Sequence, residues 1–265
     1  MLRDITLGQY FPGNTVVHRL DPRTKILLVI VYIVGLFNAV GWFSYGFVIL
    51  ITGLCMWVSK IKPKSALRGM KPLVVIIILT ALLNIFYTDG TPIIEGWIIT
   101  WEGIAKAVMM SLRIILLIVG TFMLTYTTAP IALTDGLELL LNPLKKIKVP
   151  VHEMAMMMSM ALRFIPTLIE ETDKIMSAQK ARGADFETGS LMQRAKALLP
   201  ILVPLFVSAF RRADDLAVAM ESRCYHGGEG RTRMKQLTMQ GIDAGAFVLG
   251  VLFLTAVFVM KHFGL

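Results

Sequence analysis

Two arginines that end similar segments are the residues best placed for specific chemistry. Residues 172–184 read TDKIMSAQKARGA and residues 213–225 read ADDLAVAMESRCY. Arg182 and Arg223 are 41 positions apart, and each follows an aspartate by nine residues. Small residues flank both arginines: Ala181 and Gly183 in the first segment, Ser222 and Cys224 in the second. A guanidinium offers a planar fork of donors, so each arginine suits a groove lined with acceptors on a partner protein.

The pattern therefore predicts two equivalent docking sites. The alternative is that each arginine only interacts with the C-terminus of its own helix, which is worth roughly 0.3–1 kcal/mol.

Motifs for catalysis or for metal binding are incomplete. The sequence lacks GxxxxGK[ST], so no P-loop is expected to hold nucleotide phosphates. His152 and Glu153 begin an HExxH pattern, but Met156 occupies the position of the second histidine. Glu170 and Glu171 resemble the paired acids of intramembrane proteases, and a membrane-embedded hydrolase would need those acids or His152 and Glu153. We expect no catalytic residue, no cofactor and no metal site.

The composition is that of an integral membrane protein. Hydrophobic residues make up 55% of the 265 residues, charged residues 17%, and the mean hydropathy is +0.67. The net charge of +9 favours an anionic, cytoplasmic membrane face over nucleic acid, since basic residues flank apolar runs. Cys55 and Cys224 are far apart, which predicts neither a disulfide nor a zinc site. Charged residues among the first 24 predict that no cleavable signal peptide opens the chain.

Five apolar runs are long enough to be considered as membrane spans: Ile26–Trp42, Phe43–Val58, Leu73–Tyr87, Ile104–Tyr126 and Ala244–Met260. Basic residues precede the first run and fill the connection between the second and the third. The connections at Ser44 and at residues 88–103 contain no lysine or arginine. The positive-inside rule then predicts a plasma-membrane protein with a cytoplasmic N-terminus and an extracellular C-terminus.

A long polar segment separates the fourth and fifth runs. Residues 127–240 contain fifteen lysines and arginines and twelve acidic residues, so we expect them to be cytoplasmic. They predict a short interfacial helix at Pro130–Leu141 and two long helices, one from Pro150 to Arg182 and one from about Ser190 to Tyr225. The glycines at 227–230 are expected to stop the last of these. The expected fold is an all-α integral membrane protein with about five transmembrane helices, two long cytoplasmic helices and a short interfacial helix, divided at residues 1–126, 127–240 and 241–265.

Each long helix combines an apolar first half with an amphipathic second half, which is typical of a helix at the membrane boundary. Six methionines lie between Met154 and Met176. Methionine repacks easily and suits surfaces that accept several partners, although the same residues could fill a core between crossing helices.

The spans contain few ionisable groups. No aspartate or glutamate lies in the first four, which disfavours the alternative of a self-sufficient secondary transporter or channel. Arg113 lies inside the fourth span. We expect it to pair with Glu102 or with a backbone carbonyl, and a contact with substrate is the second interpretation.

Several stretches together resemble the transmembrane coupling subunit (T component) of energy-coupling factor transporters. They are PGNTVVHRLDPRTK, TTAPIALTDGLELLLNPLKKIKVP, PVHEMAMMMSMALRFIPTLIEETDKIMSAQKARGADF, LPILVPLFVSAFRRADDLAVAMESRCY and GGEGRTR. The resemblance covers essentially the whole chain.

The resemblance implies that two Ala-Arg-Gly-type motifs dock onto a pair of ATP-binding-cassette ATPases. They correspond here to Ala181, Arg182, Gly183 and to Ser222, Arg223, Cys224. It also implies a small membrane-embedded substrate-binding subunit, commonly for a vitamin or a transition metal, and ATPase activity that belongs to the partners. The residues expected to form a platform for that subunit are Met154, Met157, Met158, Met160, Ala161, Leu202 and Leu205. The cargo does not follow from the sequence, and the unlike flanks of the two arginines lean toward two different ATPases.

Overall fold

The chain is helical through nearly all of its regular structure. The computed structural model describes residues 10–91, 99–186, 188, 190–228 and 237–264. Within them the α-helices are α1 Val16–Arg19, α2 Pro22–Asn38, α3 Trp42–Ser59, α4 Pro63–Met70, α5 Val74–Tyr87, α6 Trp101–Thr127, α7 Pro130–Leu141, α8 Val151–Ala181, α9 Leu191–Glu221 and α10 Gly241–His262. Short 3-10 turns at Lys71–Leu73 and Asn142–Ile147 precede α5 and follow α7.

The helices form two compact units. One, called here the five-helix unit, comprises the described residues of 8–140 and 237–265 and contains α2, α3, α5, α6 and α10 as its main helices. The other, called the α8–α9 unit, comprises the described residues of 141–236.

In the five-helix unit, α2 and α10 run in the same direction. The backbone N–H of Asp21, which precedes α2, donates to the Asp243 carboxylate in the first turn of α10 at 2.8 Å. At the opposite end, the Lys261 ammonium donates to the Asn38 side chain at 2.8 Å. Polar contacts at both ends therefore fix the register of the two helices.

Helix α6 runs in the opposite direction to α2. The buried Lys25 ammonium, near the start of α2, donates at 2.9 Å to the carbonyl of Thr127, the last residue of α6. Near the middle, the Tyr32 hydroxyl donates to the carbonyl of Leu116 at 3.0 Å. A Cβ on Gly120 would overlap the Tyr32 ring, so glycine permits this close helix approach.

The apolar core of this unit lies where four of its helices meet. Its buried residues come from α2, α3, α6 and α10 and from the residue after α2: Leu36, Ala39, Tyr45, Val48, Leu116, Phe253 and Val257. Most other large apolar side chains on these helices are exposed, which is expected when lipid rather than protein covers them.

Four helices are long and apolar enough to cross a membrane by length and composition: α3, α6, α10, and α9 from Met192 to Glu221. The first three coincide with predicted spans. The fourth, α9, is a helix that we expected to lie in the cytoplasm. The described apolar helix at Lys71–Tyr87, where we predicted the third span, is shorter than these four. Helix α2 ends at Asn38 and α3 begins at Trp42, so the expected boundary between the first two spans was wrong. Gly41, with φ +87°, makes the break before Trp42.

The helices predicted within residues 127–240 match the structure better at their starts than at their ends. Helix α7 has the predicted bounds, and α8 begins and ends within one residue of them. Helix α9 begins after Ser190, which forms a capping box with Gln193, but it ends at Glu221 rather than near Tyr225. The expectation that glycines at 227–230 stop this helix was therefore wrong. Cys224 takes the left-handed conformation, with φ +54°, and ends the helix earlier.

Candidate functional site: two arginine-ended helices

Helices α8 and α9 end in the same backbone motif. The amide of Ala184 donates to the carbonyl of Gln179 at 3.0 Å, and the amide of Tyr225 donates to that of Met220 at 3.1 Å. Both bonds close a six-residue ring, as in a Schellman motif. Donors and acceptors in the two helices differ by the same 41 positions that separate Arg182 from Arg223.

The residue after each arginine carries the left-handed turn of that motif. Gly183 has φ +88° and Cys224 has φ +54°. Glycine adopts this conformation without steric cost, whereas an L-residue with a side chain is disfavoured by roughly 1–2 kcal/mol. The two ends therefore have one geometry, although the second lacks the residue that suits it best.

The common motif places the two arginines at equivalent positions. Arg182 and Arg223 are exposed, and their amides donate at 3.1 Å to the carbonyls three residues earlier. Among the described residues, neither guanidinium makes a hydrogen bond or an ion pair with another side chain or with a helix carbonyl. The described contacts therefore give no support to a role in capping the arginines' own helices.

An ion pair joins the two helices. The Arg212 guanidinium donates to the Glu171 carboxylate at 2.9 Å, with side-chain exposures of 36% and 23%. A hydrogen bond from Ser208, followed by the charge of Arg212, lowers the pKa of Glu171 below its ordinary value. Glu171 is thus a structural ion-pair partner, which leaves the paired-acid interpretation of residues 170 and 171 without support.

A second bond between the helices involves a carbonyl that a proline leaves free. Pro204 has no N–H and cannot donate to the carbonyl of Pro200 in α9. The side-chain amide of Gln179, in α8, donates to that carbonyl at 3.5 Å. A cross-helix bond therefore replaces a missing intrahelical one.

The expected platform residues differ in exposure. Met154, Met157, Met158 and Leu202 are 47%, 59%, 43% and 45% exposed, and Ala161 is also exposed, while Met160 and Leu205 are half-buried. The apolar first half of α9 also carries exposed large side chains, at Leu198, Leu199, Val203, Phe206, Val207 and Phe210. The three exposed methionines do not fill a core between α8 and α9.

Arg113 of the five-helix unit pairs with a backbone carbonyl. Its guanidinium donates to the carbonyl of Ala39 at 3.3 Å and lies over the rings of Phe37 and Tyr45 at 5.9 and 5.8 Å. Pairing with Glu102, the other option that we considered, was wrong. Glu102 instead accepts hydrogen bonds from the backbone amide and the hydroxyl of Thr91.

The buried ionic cluster at the start of α2 was missed by sequence reasoning. Asp21, Lys25 and Asp243 are all at least 95% buried. The Lys25 ammonium donates to three oxygens, those of the carbonyls of His18 and Thr127 and of the Thr128 hydroxyl. The signal in the sequence was an Asp-Pro helix start four residues before a lysine. This cluster joins α2, α6 and α10 at one end of the unit.

The geometry defines a class: an all-α, multi-pass integral membrane protein with a separate pair of long, arginine-ended helices. A family model described as cobalt transport protein, CbiQ, matches residues 13–234. Three similar relatives carry the name energy-coupling factor transporter transmembrane protein EcfT. The relative from Thermosediminibacter oceani is 58% identical over 249 residues, which cover 93% of this chain and 94% of the relative. The relative from Ruminiclostridium cellulolyticum is 52% identical over 265 residues, which cover 99% of this chain and 99% of the relative. The relative from Bacillus subtilis is 46% identical over 264 residues, which cover 98% of this chain and 100% of the relative.

The chain belongs to this family, the transmembrane T components of energy-coupling factor transporters. The resemblance drawn from the sequence is thereby confirmed. It is a membrane component of a transporter.

Proposed function

We propose that this T component transmits the motion of two ATP-binding-cassette ATPases to a separate, membrane-embedded substrate-binding subunit that takes up a vitamin or another micronutrient. The observation that carries the proposal is the pair of matched helix ends. Arg182 and Arg223 project from the same backbone motif, with no partner among the described residues. Two arginine side chains in equivalent positions suit two equivalent grooves, which a pair of ATPases would offer.

The proposed transmission of motion depends on the stiffness of α8 and α9. Helices α8 and α9 have 31 residues each, about 46 Å at 1.5 Å per residue. When ATP closes the ATPase pair, the arginine-pinned ends move and the helices carry that displacement to their apolar halves. There the substrate-binding subunit would tilt or be released. The ATPase activity lies in the partner subunits.

The orientation is a further part of the proposal. In the five-helix unit the start of α2, the end of α6 and the start of α10 lie at one end. Arg19, Arg23 and Lys25 lie at that end, so the positive-inside rule favours its being cytoplasmic. The N-terminus is then cytoplasmic and the C-terminus extracellular.

Reversing the charge of the two arginines tests the docking assignment. Removing one partner from a desolvated, hydrogen-bonded charge pair costs about 2–5 kcal/mol, so Arg182→Glu and Arg223→Glu should each weaken co-purification of the ATPases. The double variant should nearly abolish both co-purification and uptake. Arg194→Glu, on an exposed position in the first turn of α9, is the matched control. Retention of ATPases and uptake by the double variant would refute the docking role.

A polar substitution on the platform tests the contact with the substrate-binding subunit. Leu202→Glu should remove that subunit from the purified complex while the ATPases remain, because burying an unpaired carboxylate at an interface is costly. Leu202→Met conserves apolar volume and is the control. Stoichiometric recovery of all subunits with Leu202→Glu would show that the platform lies elsewhere.

A further inference from the structure

The ion pair between α8 and α9 joins two equivalent residues. Glu171 and Arg212 are 41 positions apart, the offset that also relates Arg182 to Arg223 and Gly183 to Cys224. Their Nη2 and Oε2 atoms are 2.9 Å apart. When two elements are related by a two-fold axis, equivalent residues can touch each other only on that axis. The contact is therefore the one that an approximate two-fold axis between Glu171 and Arg212 would produce.

Two further contacts show that the two helices are antiparallel. Glu171 of α8 contacts Arg212 of α9, and Gln179, eight residues later in α8, contacts Pro200, twelve residues earlier in α9. Beyond the end of α9, Gly228 packs on the side chain of His152 near the start of α8, where an added Cβ would overlap the imidazole. The C-terminal half of each helix thus runs alongside the N-terminal half of the other.

The axis sets the positions of both arginines. Arg182 and Arg223 each lie eleven residues beyond the axial pair, about 16 Å along their helices at 1.5 Å per residue. Because the helices are antiparallel, the two ends point away from the axis in opposite directions. Any slip or rotation at the axial pair changes the separation of the two arginines.

We propose that Glu171 and Arg212 are positioning residues of the coupling helices: their ion pair lies on the two-fold axis of the α8–α9 unit and fixes the separation of Arg182 and Arg223. The inference rests on the proposed docking function, because that separation must match the spacing of two ATPase grooves. Opposite charges suit a contact between equivalent residues, since two like charges there would repel. The Ser208 hydroxyl accepts a hydrogen bond from Arg212 Nε at 3.4 Å, which helps to hold the guanidinium beside Glu171.

The separation can be measured directly in the full chain. Spin labels at Ala178→Cys and Ala219→Cys, two exposed alanines related by the same offset, report the distance across the axis once Cys55 and Cys224 are replaced by alanine and glycine. Glu171→Arg places two cations on the axis and should shift or broaden the distance distribution by about one helix turn, ~5 Å. Glu171→Arg with Arg212→Glu restores the pair and should restore the parent distribution.

An adjacent pair serves as the matched control. Glu170 and Arg211 are exposed, have the same offset, and make no ion pair with each other. Glu170→Arg with Arg211→Glu should leave the distance distribution unchanged. The inference is overturned if Glu171→Arg leaves the distribution as it was, or if the charge swap is as disruptive as the single variant.

Retention of the ATPases separates this inference from the proposed function. In the complex with native cysteines, Glu171→Arg should lower ATPase co-purification and uptake, and the charge swap should recover both. If the distances respond but retention does not, while Arg182→Glu with Arg223→Glu loses the ATPases, docking stands and the positioning role is wrong. If that double arginine variant retains the ATPases, the docking function itself fails.

Discussion

At the scale of single residues, the two arginine motifs share a geometry that their sequences do not share equally. Gly183 suits its left-handed conformation, while Cys224 adopts the same conformation with a side chain. When the two motifs are compared by sequence alone, Cys224 in place of a glycine is only a change of side chain beside the arginine. The structure shows that the residue at this position carries a left-handed turn of the backbone.

Glycine at position 224 should therefore strengthen the end of α9. Cys224→Gly removes the strain of the left-handed conformation, and this energy exceeds the entropy cost of ordering a glycine on folding. We therefore expect the end of α9 to be ~0.5 kcal/mol more stable. Hydrogen exchange at the Tyr225 amide, which donates to Met220, should slow about twofold. The control is Gly183→Ala. An added Cβ meets no atom within 4 Å there, so only backbone strain acts, and exchange at the Ala184 amide should accelerate about fivefold. Faster exchange in Cys224→Gly would contradict the assignment.

At the scale of helices, the sequence predicted what depends on local signals. Capping residues and hydrophobic periodicity gave the bounds of α7 and the starts of α8 and α9. The end of α9 was misplaced because a cysteine in a left-handed turn carries no compositional signal. The cross-helix bonds were also missed, although the 41-residue offset relates Glu171 to Arg212. An offset identifies equivalent residues, but only the packing of the helices shows that they touch.

The bond from Gln179 to Pro200 predicts a specific coupling between two substitutions. Gln179→Leu should destabilise the α8–α9 pair by about 0.5 kcal/mol, since the Pro200 carbonyl loses its donor. Pro204→Ala restores an intrahelical N–H, so the same Gln179→Leu change should cost almost nothing in that background. A double-mutant cycle of chemical unfolding measures the difference. Met220→Leu, at the equivalent position of α9, is the control. Equal costs in both backgrounds would mean that Gln179 does not satisfy that carbonyl.

At the scale of the whole molecule, composition predicted a membrane protein, but length and apolarity could not separate spans from other apolar helices. Helix α9 passes the same test as α3, α6 and α10, and α2 has only 17 residues. The direction of the helices in the five-helix unit follows instead from polar contacts at their ends. Those contacts involve residues more than 100 positions apart, such as Lys25 with Thr127 and Asp21 with Asp243, and no local pattern shows them.

Labelling of single cysteines in intact cells tests the proposed orientation. In a background of Cys55→Ala and Cys224→Gly, we expect a membrane-impermeant thiol reagent to label Asp89→Cys and Phe263→Cys from outside, because both exposed positions lie at the end opposite Arg19, Arg23 and Lys25. Lys62→Cys, in the connection between α3 and α4, should react only after permeabilisation. The basic connections cannot face outward without reversing the positive-inside bias. The reagent should therefore label the variants at positions 89 and 263 in intact cells and the variant at position 62 only in permeabilised cells. Labelling of Lys62→Cys in intact cells, with protection of Asp89→Cys, would refute the proposed orientation.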